Sequence, residues 1–504
     1  MSAQPAVLHE LLDRAAERWP DRPAVSAGEH SLTYRQLVDT SRRVALLLAG
    51  HGLRRGRRLV ISAPNSVELP VLVTAASRIG APFALLHEQV RGAQLEHVLA
   101  DCEPTLLVGA DPDGRAAAEA RGVKALDIAE LTDLAAGPVP DRTALPAGPL
   151  PVDPVCLIYT SGTTSLPKAV VSTHQQLVFA AGAIQQVLGY RSDDVVYSPL
   201  PLSFDYGLYQ FFLAALGGAH LRLGRPAEVG PPLLTNLERS GATVLPAVPA
   251  VADALGRLLR RAGDRALKLR LLTNTGAAMP PEALAQLRAR IPGLRVQLMF
   301  GLTECKRATI MPVDGDLDRP GSSGVALPGT EVFVVGPDGA RLPAGEVGEI
   351  VVRGPNVMAG YWRRPELTAE RFHRAEGLFP ELRTGDYGWL DDEGFLFFDG
   401  RRDDIYKENG FRVSATEVEA AARRIPGVAS AAVLAPAAGR AALLFVTGGL
   451  TSAEVLPAMR EQIERFKVPG RCLVLDRLPL TGNGKVDRKA LAVLAEEVER
   501  VRAD

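Results

Sequence analysis

The sequence has 504 residues, 47% hydrophobic and 23% charged, with 57 basic residues against 58 acidic ones and a net charge of −1. That length exceeds one hydrophobic core, and at roughly 100–200 residues per domain it implies two to four cores or subdomains. The ordinary composition excludes disorder over most of the chain, and the lack of basic excess excludes a nucleic-acid backbone as partner, so any bound anion must be held locally.

Four widely spaced cysteines, Cys102, Cys156, Cys305 and Cys472, form no CxxC pair. Neither a zinc site nor a disulfide framework is expected, and a reducing, cytoplasmic setting fits. The start, Met1–Pro5, lacks a basic segment followed by an apolar run, and no stretch of about 18 apolar residues occurs, so neither a secretory signal nor a membrane span is expected.

In chain order, Leu8, Leu11, Leu12, Ala15 and Trp19 recur at helical spacing and predict an opening helix. From there to about residue 320 a short apolar run, a Gly/Ser/Thr/Pro loop and an Ala/Leu-rich helix repeat. The runs include Arg58–Ser62, Val155–Thr160, Val195–Leu200, Ala242–Pro246, Leu269–Thr273 and Val296–Phe300. This rhythm predicts an α/β fold, a large N-terminal domain of parallel-type sheets faced by helices, with ligands beyond the carboxyl ends of the strands. After about residue 324, Glu331–Val335, Glu349–Arg353 and Phe395–Asp399 read as strands of a β-rich subdomain. Gly400–Asp404 has no large apolar residue and reads as a linker. Helices Ala415–Arg424 and Ser452–Arg465, with strands Ala429–Ala435 and Ala441–Val446, predict a small α+β C-terminal domain. The expected organisation is therefore residues 1–400, a hinge at 401–404 and a mobile domain at 405–504.

Behind the strand Val155–Thr160 lies Ser161-Gly162-Thr163-Thr164-Ser165-Leu166-Pro167-Lys168. Its hydroxyls and backbone N–H groups, with the Lys168 charge, can wrap a polyphosphate. Composition alone equally reads such a run as a flexible linker. Its position after a buried strand and its Pro-Lys end argue for phosphate, although the spacing is not that of the Gly-x-x-x-x-Gly-Lys-Ser/Thr loop.

Tyr159–Lys168 resembles the phosphate-loop motif of the adenylate-forming superfamily of acyl-CoA synthetases, luciferases and peptide-synthetase adenylation domains, with Ser165 and Ala169 where glycine is usual. Further motifs follow in the superfamily's order, preceded by Leu32–Leu37, which resembles its early Leu-Thr-Tyr block. Phe300-Gly301-Leu302-Thr303-Glu304 resembles Tyr-Gly-x-Thr-Glu, and Gly348-Glu349-Ile350 with Gly360–Pro365 resembles the next block. Arg383-Thr384-Gly385-Asp386, Gly400–Asp403, Lys407–Val413 and Gly482–Arg488 resemble the ribose, hinge, thiol-step and C-terminal lysine motifs.

The resemblance implies site residues. Thr160, Ser161, Gly162, Thr163, Thr164, Ser165, Lys168, Phe300, Asp386 and Arg401 would bind ATP, with Thr303 and Glu304 near its phosphates and Glu304 on Mg²⁺. Lys485 would bridge the carboxylate and the α-phosphate, and the small domain would turn about Asp403 to bring in the loop with Lys407 and Gly410. The implied reaction is activation of a carboxylic acid to an acyl-adenylate with loss of pyrophosphate, followed by transfer to a thiol.

The implied acyl pocket comprises Phe204, Asp205, Tyr206, Tyr209, Pro246, Thr273, Thr275, Gly276, Met299, Arg307 and Ala308. In amino-acid-activating members an Asp at position 205 pairs with the substrate ammonium, although those members usually carry Ser where Gly207 stands. A protein partner for Asp205, His174 or Arg307, is the alternative. Lys306 and Arg307 would answer a second acidic or polar group on the substrate, or pair with Asp205, and argue against a long fatty chain. The Asn483–Arg488 ending is closer to carrier-loading enzymes than to many CoA ligases, so the favoured acceptor is the phosphopantetheine of a separate carrier protein, with free coenzyme A as the alternative. Capture by an amine, and a non-catalytic nucleotide-binding homologue, are the remaining alternatives.

Overall fold

The computed structural model describes residues 5–130, 138–160, 167–262, 265–374, 379–401, 405–408, 411–437, 441–463, 467–481 and 485–503. The chain divides into two compact units, Met1–Val332 with Val351–Arg383, and Phe333–Ile350 with Thr384–Asp504.

Two α/β sheets build the first unit. One has nine strands in the order Val325–Ala326, Thr309–Ile310, Arg295–Phe300, Leu271–Asn274, Val244–Ala247, Val195–Ser198, His220–Leu223, Pro23–Ala27 and His30–Thr33. Its inner pairs are parallel and its outer pairs antiparallel. The other has seven, in the order Gly360–Tyr361, Lys168–Thr173, Pro154–Thr160, Phe83–Leu86, Leu59–Ser62, Leu106–Gly109 and Lys124–Leu126. Strands such as Leu59–Ser62, Phe83–Leu86, Leu106–Gly109 and Leu271–Asn274 are buried at every position. That is why they read as continuous apolar runs: helices cover both faces of a parallel sheet.

Local signals set the helix ends. Thr33 and Thr173 each form a reciprocal cap with a glutamine three residues on, opening helices Tyr34–Gly50 and His174–Leu188. Gly189 closes the second in the left-handed conformation. The opening helix, His9–Arg18, buries Leu11, Leu12 and Ala15 as its periodicity predicts.

Further along, Glu331–Val335, Gly348–Arg353, Glu381–Leu390, Phe372–His373 and Leu396–Arg401 form a five-stranded sheet. Here the expected linker is corrected. Gly400 and Arg401 lie inside the last strand, paired with Tyr387 and Asp386, because a ladder is held by backbone groups and does not need apolar side chains. The hairpin Ile405–Glu408/Phe411–Ser414 follows. A three-stranded sheet of Val428–Leu434, Leu443–Gly448 and Arg471–Val474 packs with helices Ala415–Arg423, Ser452–Met459 and Arg488–Ala503, the small α+β fold expected. Helix Ser452–Met459 stops short of the expected Arg465. Pro457 removes a backbone donor within it and the chain turns at Arg460. Among the described residues no helix is long and apolar enough to cross a membrane. The four cysteines are free and buried.

Candidate functional site

In the first unit the functional side chains gather in two groups joined by the loop Leu302–Arg307. The first group begins where the antiparallel pair Pro154–Thr160 and Lys168–Thr173 sets Thr160 opposite Lys168. Lys168 is half-buried, and its Nζ sits 4.1 Å from the centre of the Tyr361 ring. Burial lowers its pKa and the nearby Glu304 charge opposes that. Glu304 is buried, and its Oε1 accepts a hydrogen bond from the Tyr361 hydroxyl at 2.7 Å. Phe300 ends the strand Arg295–Phe300 and Thr303 is half-buried in the loop beyond it. Ser161, Gly162, Thr163, Thr164 and Ser165 lie outside the described residues.

The loop is tightly built. A Cβ on Gly301 would lie 2.3 Å from the carbonyl oxygen of Lys306, so only glycine lets the chain fold back there. The Met358 N–H donates to the Glu304 carbonyl at 2.8 Å, and Asn356 Nδ2 donates to the carbonyls of Cys305 and Arg307 at 3.3 and 2.9 Å. Lys306 takes a left-handed φ of 64°, a strained choice for a long side chain.

The second group surrounds Asp205, the first residue of helix Asp205–Gly217, with Phe204 as its N-cap. A carboxylate there is favoured by the helix dipole. Arg307, almost fully buried, donates to Asp205 Oδ2 at 3.1 Å and lies 4.9 Å from the Tyr206 ring centre. Of the two protein partners expected for Asp205, Arg307 is found. His174 instead accepts the Leu8 N–H through Nδ1 at 3.1 Å. Parallel register puts Pro246 beside Thr273, and the Tyr206 hydroxyl donates to the Thr273 carbonyl at 2.8 Å. Met299 and Ala308 are buried, and Gly276 bends the chain at φ 89°. Tyr209 Oη, Thr275 Oγ1, Lys306 Nζ and Arg307 Nε are buried with no hydrogen-bond partner. Burial pulls the pKa of Lys306 down, opposed first by the charge of Asp205.

The remaining predicted residues belong to the second unit. Asp386, buried, and Arg401 are cross-strand partners, and the Thr384 hydroxyl accepts the Asp386 N–H at 3.0 Å. Lys485 is exposed beside the antiparallel Leu480–Val486 bridge, and its carbonyl accepts the Thr481 N–H at 2.7 Å. Asp487 then caps helix Arg488–Ala503 through the N–H groups of Lys489 and Ala490. Lys407 lies in the strand Ile405–Glu408. Asp403 and Gly410 lie outside the described residues.

Tyr361 and Asn356 carry no predicted role, yet one joins Lys168 to Glu304 and the other holds the loop. The Gly360–Pro365 block was the available signal for Tyr361. Its neighbours are anchors: Trp362 Nε1 donates to the Asp101 carbonyl at 3.1 Å and Arg364 pairs with the Asp101 carboxylate at 2.8 Å.

Chemically, a buried carboxylate beside a lysine suits a hard cation bound together with phosphate oxygens. No cluster of three or more His, Cys, Asp or Glu that could hold a metal occurs among the described residues. Mg²⁺ fits such a site, since it takes one or two carboxylates plus substrate phosphates and keeps its waters.

Comparison with known proteins agrees. Residues 12–362 match the model of the AMP-binding enzyme family, and residues 417–485 match that of the AMP-binding enzyme C-terminal domain. The chain is 32% identical over 540 residues to a salicylyl-CoA synthase / salicylate adenylyltransferase of Streptomyces sp, covering 99% of this chain and 94% of the relative. It is 30% identical over 511 residues to the L-proline–[L-prolyl-carrier protein] ligase of Pseudomonas fluorescens, covering 96% and 99%. Among solved structures, VinN in complex with L-aspartate is 38% identical with a TM-score of 0.70, covering 78% of this chain and 98% of that one. O-succinylbenzoate coenzyme A synthetase from Bacillus subtilis, in complex with ATP and magnesium ion, is 28% identical with a TM-score of 0.82, covering 96% and 99%. The chain therefore belongs to the AMP-binding enzyme family within the adenylate-forming superfamily, and is an AMP-forming ligase that uses ATP and Mg²⁺ to activate an acid.

Proposed function

We propose that this ligase activates an amino acid as its adenylate and passes the acyl group to the phosphopantetheine thiol of a separate carrier protein. One observation carries the amine: Asp205 stands among buried groups with Oδ2 on Arg307, while Oδ1 has no hydrogen-bond partner among the described residues. A substrate ammonium would take that oxygen, which the pairing with Arg307 leaves open, in a charge-assisted hydrogen bond. Both an L-aspartate complex and a prolyl-carrier ligase among the similar proteins support an amino acid.

The chemical problem is to bring a carboxylate against the α-phosphate, two anions that repel. Positioning and fixed positive charge solve it. A carboxylate oxygen attacks the α-phosphorus, the bond to the bridging oxygen breaks and pyrophosphate leaves. Lys485 would bridge the two anions, while Thr163, Thr164 and Lys168 would hold the departing phosphates and Asp386 and Arg401 the nucleoside end. Mg²⁺, held by Glu304 with the phosphate oxygens, would supply Lewis-acid charge there. In the second step a thiol sulfur attacks the acyl carbon and loses its proton, and the bond to AMP breaks. The small domain at 405–504 would turn about Asp403 within 401–404, replacing Lys485 by the loop with Lys407 and Gly410. A cytoplasmic setting fits four free, buried cysteines.

Free coenzyme A is the second reading, favoured by the CoA synthases among the similar proteins. Product analysis with holo carrier protein and with coenzyme A separates the two. Adenylation is tested by acid-dependent pyrophosphate exchange over a panel of amino, aryl and short acyl acids. Lys485→Ala should lower the exchange rate about 10²–10³-fold, the usual cost of removing one preorganised charge, with ATP binding largely retained. Exchange near the original rate in that variant overturns the role of Lys485.

A further inference from the structure

We infer that the acid this enzyme activates carries a second carboxylate, seated on Lys306 Nζ beside Arg307. The inference rests on the reading of the Asp205 pocket as the acyl site and goes further by naming the class of acid. Lys306 is fully buried, with no exposed surface, and its ammonium nitrogen has no hydrogen-bond partner. An ammonium taken from water without a counter-charge or acceptor costs several kcal/mol, and folded proteins pair such groups. It feels the charges of Asp205 and Glu304, yet neither carboxylate hydrogen-bonds it: Asp205 Oδ2 is taken by Arg307 and Glu304 Oε1 by Tyr361, and Lys306 Nζ itself has no partner. Cys156 and Cys305 are buried thiols and weak acceptors.

The placement is also fixed by construction. Lys306 occupies a left-handed backbone position that glycine would hold without strain. The hydrogen bonds from Asn356 and Met358 clamp the carbonyls on either side of it. A long charged side chain is thus held, at a cost in strain, beside a matched Arg–Asp pair. Arg307 already answers Asp205, and Lys306 Nζ is left without a hydrogen-bond partner. A monocarboxylic acid spends its one carboxylate on the phosphate and leaves that nitrogen unpartnered, whereas a dicarboxylic acid brings a second acceptor. Tyr209 Oη, Thr275 Oγ1 and Arg307 Nε, each buried without a partner, are further donors among the residues assigned to the acyl site. An alkyl chain satisfies none of them.

The test compares acids with isosteres in which the second carboxylate is an amide. L-Aspartate against L-asparagine and succinate against succinamate, with the longer glutamate and glutamine pair, are run in pyrophosphate exchange with the whole chain. The aspartate and succinate arms also decide whether the diacid carries an amine. At least one diacid should exceed its monoamide by about 10–10²-fold in kcat/KM, the range for charge-assisted hydrogen bonds. In Lys306→Met that ratio should fall towards one. Should that variant not fold, the wild-type ratios alone decide the matter. Exchange that is equal for the monoamides, or confined to acids with one carboxylate, overturns the inference and leaves adenylation standing. No exchange with any acid overturns both.

Discussion

Tyr361 does two things with one side chain. Its hydroxyl donates to Glu304 across 57 residues of sequence and its ring lies beneath the Lys168 ammonium. The carboxylate that would hold Mg²⁺ is thereby fixed relative to the lysine that would meet the phosphates. Tyr361→Phe deletes the hydroxyl and keeps the ring. A hydrogen bond to a charged group contributes about 1.5–3 kcal/mol, so exchange should fall about tenfold and require more Mg²⁺. Tyr361→Leu removes the ring as well and should fall further. A Tyr361→Phe enzyme with an unchanged Mg²⁺ titration would show that Glu304 is positioned without it. Lys168, Glu304, Asp386 and Lys485 stand out in the sequence because they sit in ordered local motifs. The pairing of Tyr361 with Glu304, and of Asp205 with Arg307, does not, since each is a contact between segments 57 and 102 residues apart and nothing local encodes it.

At the scale of elements, helix Asp205–Gly217 aims the acyl pocket, and its first turn depends on Gly207. A Cβ there would lie 2.1 Å from the Pro201 carbonyl oxygen, so the helix approaches the preceding backbone as only glycine allows. Gly207→Ala should cost about 1–3 kcal/mol by overpacking and displace Asp205, raising KM for the acid more than KM for ATP. Gly182→Ala, in helix His174–Leu188 with open space at its Cβ, is the control and should leave both near wild type. An unaltered acid KM in Gly207→Ala would mean the turn can shift without moving Asp205. The strand and helix rhythm of the first unit was legible because fully buried strands leave unbroken apolar runs. The far ends of elements were less so. Gly400 and Arg401 extend a strand by backbone pairing alone, and Ser452–Met459 ends at a turn after Pro457 that helical periodicity does not mark.

One part of the molecule's response to acid follows from its buried histidines. His174 is inaccessible, its Nδ1 occupied by the Leu8 N–H and its Nε2 without a partner, so burial lowers its pKa to about 4. His220, bonded to Ser26 at 2.8 Å, is lowered to about 4 for the same reason, with Arg222 adding to it. Both are neutral in the folded chain, while the unfolded chain binds protons at about pH 6.5. The unfolded state therefore takes up more protons between those values, and stability rises with pH across that interval. The histidine contribution should be flat from pH 8 to 7 and fall progressively from about pH 6.5 towards 4, by up to about 3 kcal/mol for each histidine at the low end. Asp153, held low by Arg55, and Asp194 and Asp314, whose burial is outweighed by Arg270 and by the Val296 N–H with Arg288, add their own loss only nearer to and below their usual pKa. Glu419, raised to about 7 by burial, is protonated in the folded chain over the same interval and offsets part of the histidine loss. Melting temperature measured from pH 8 to 5 at constant ionic strength checks this. His174→Gln, whose amide oxygen can still accept the Leu8 N–H, should make the slope between pH 6.5 and 5 less positive than in the wild type, and an equal slope in that variant would move the origin of the acid sensitivity to other groups.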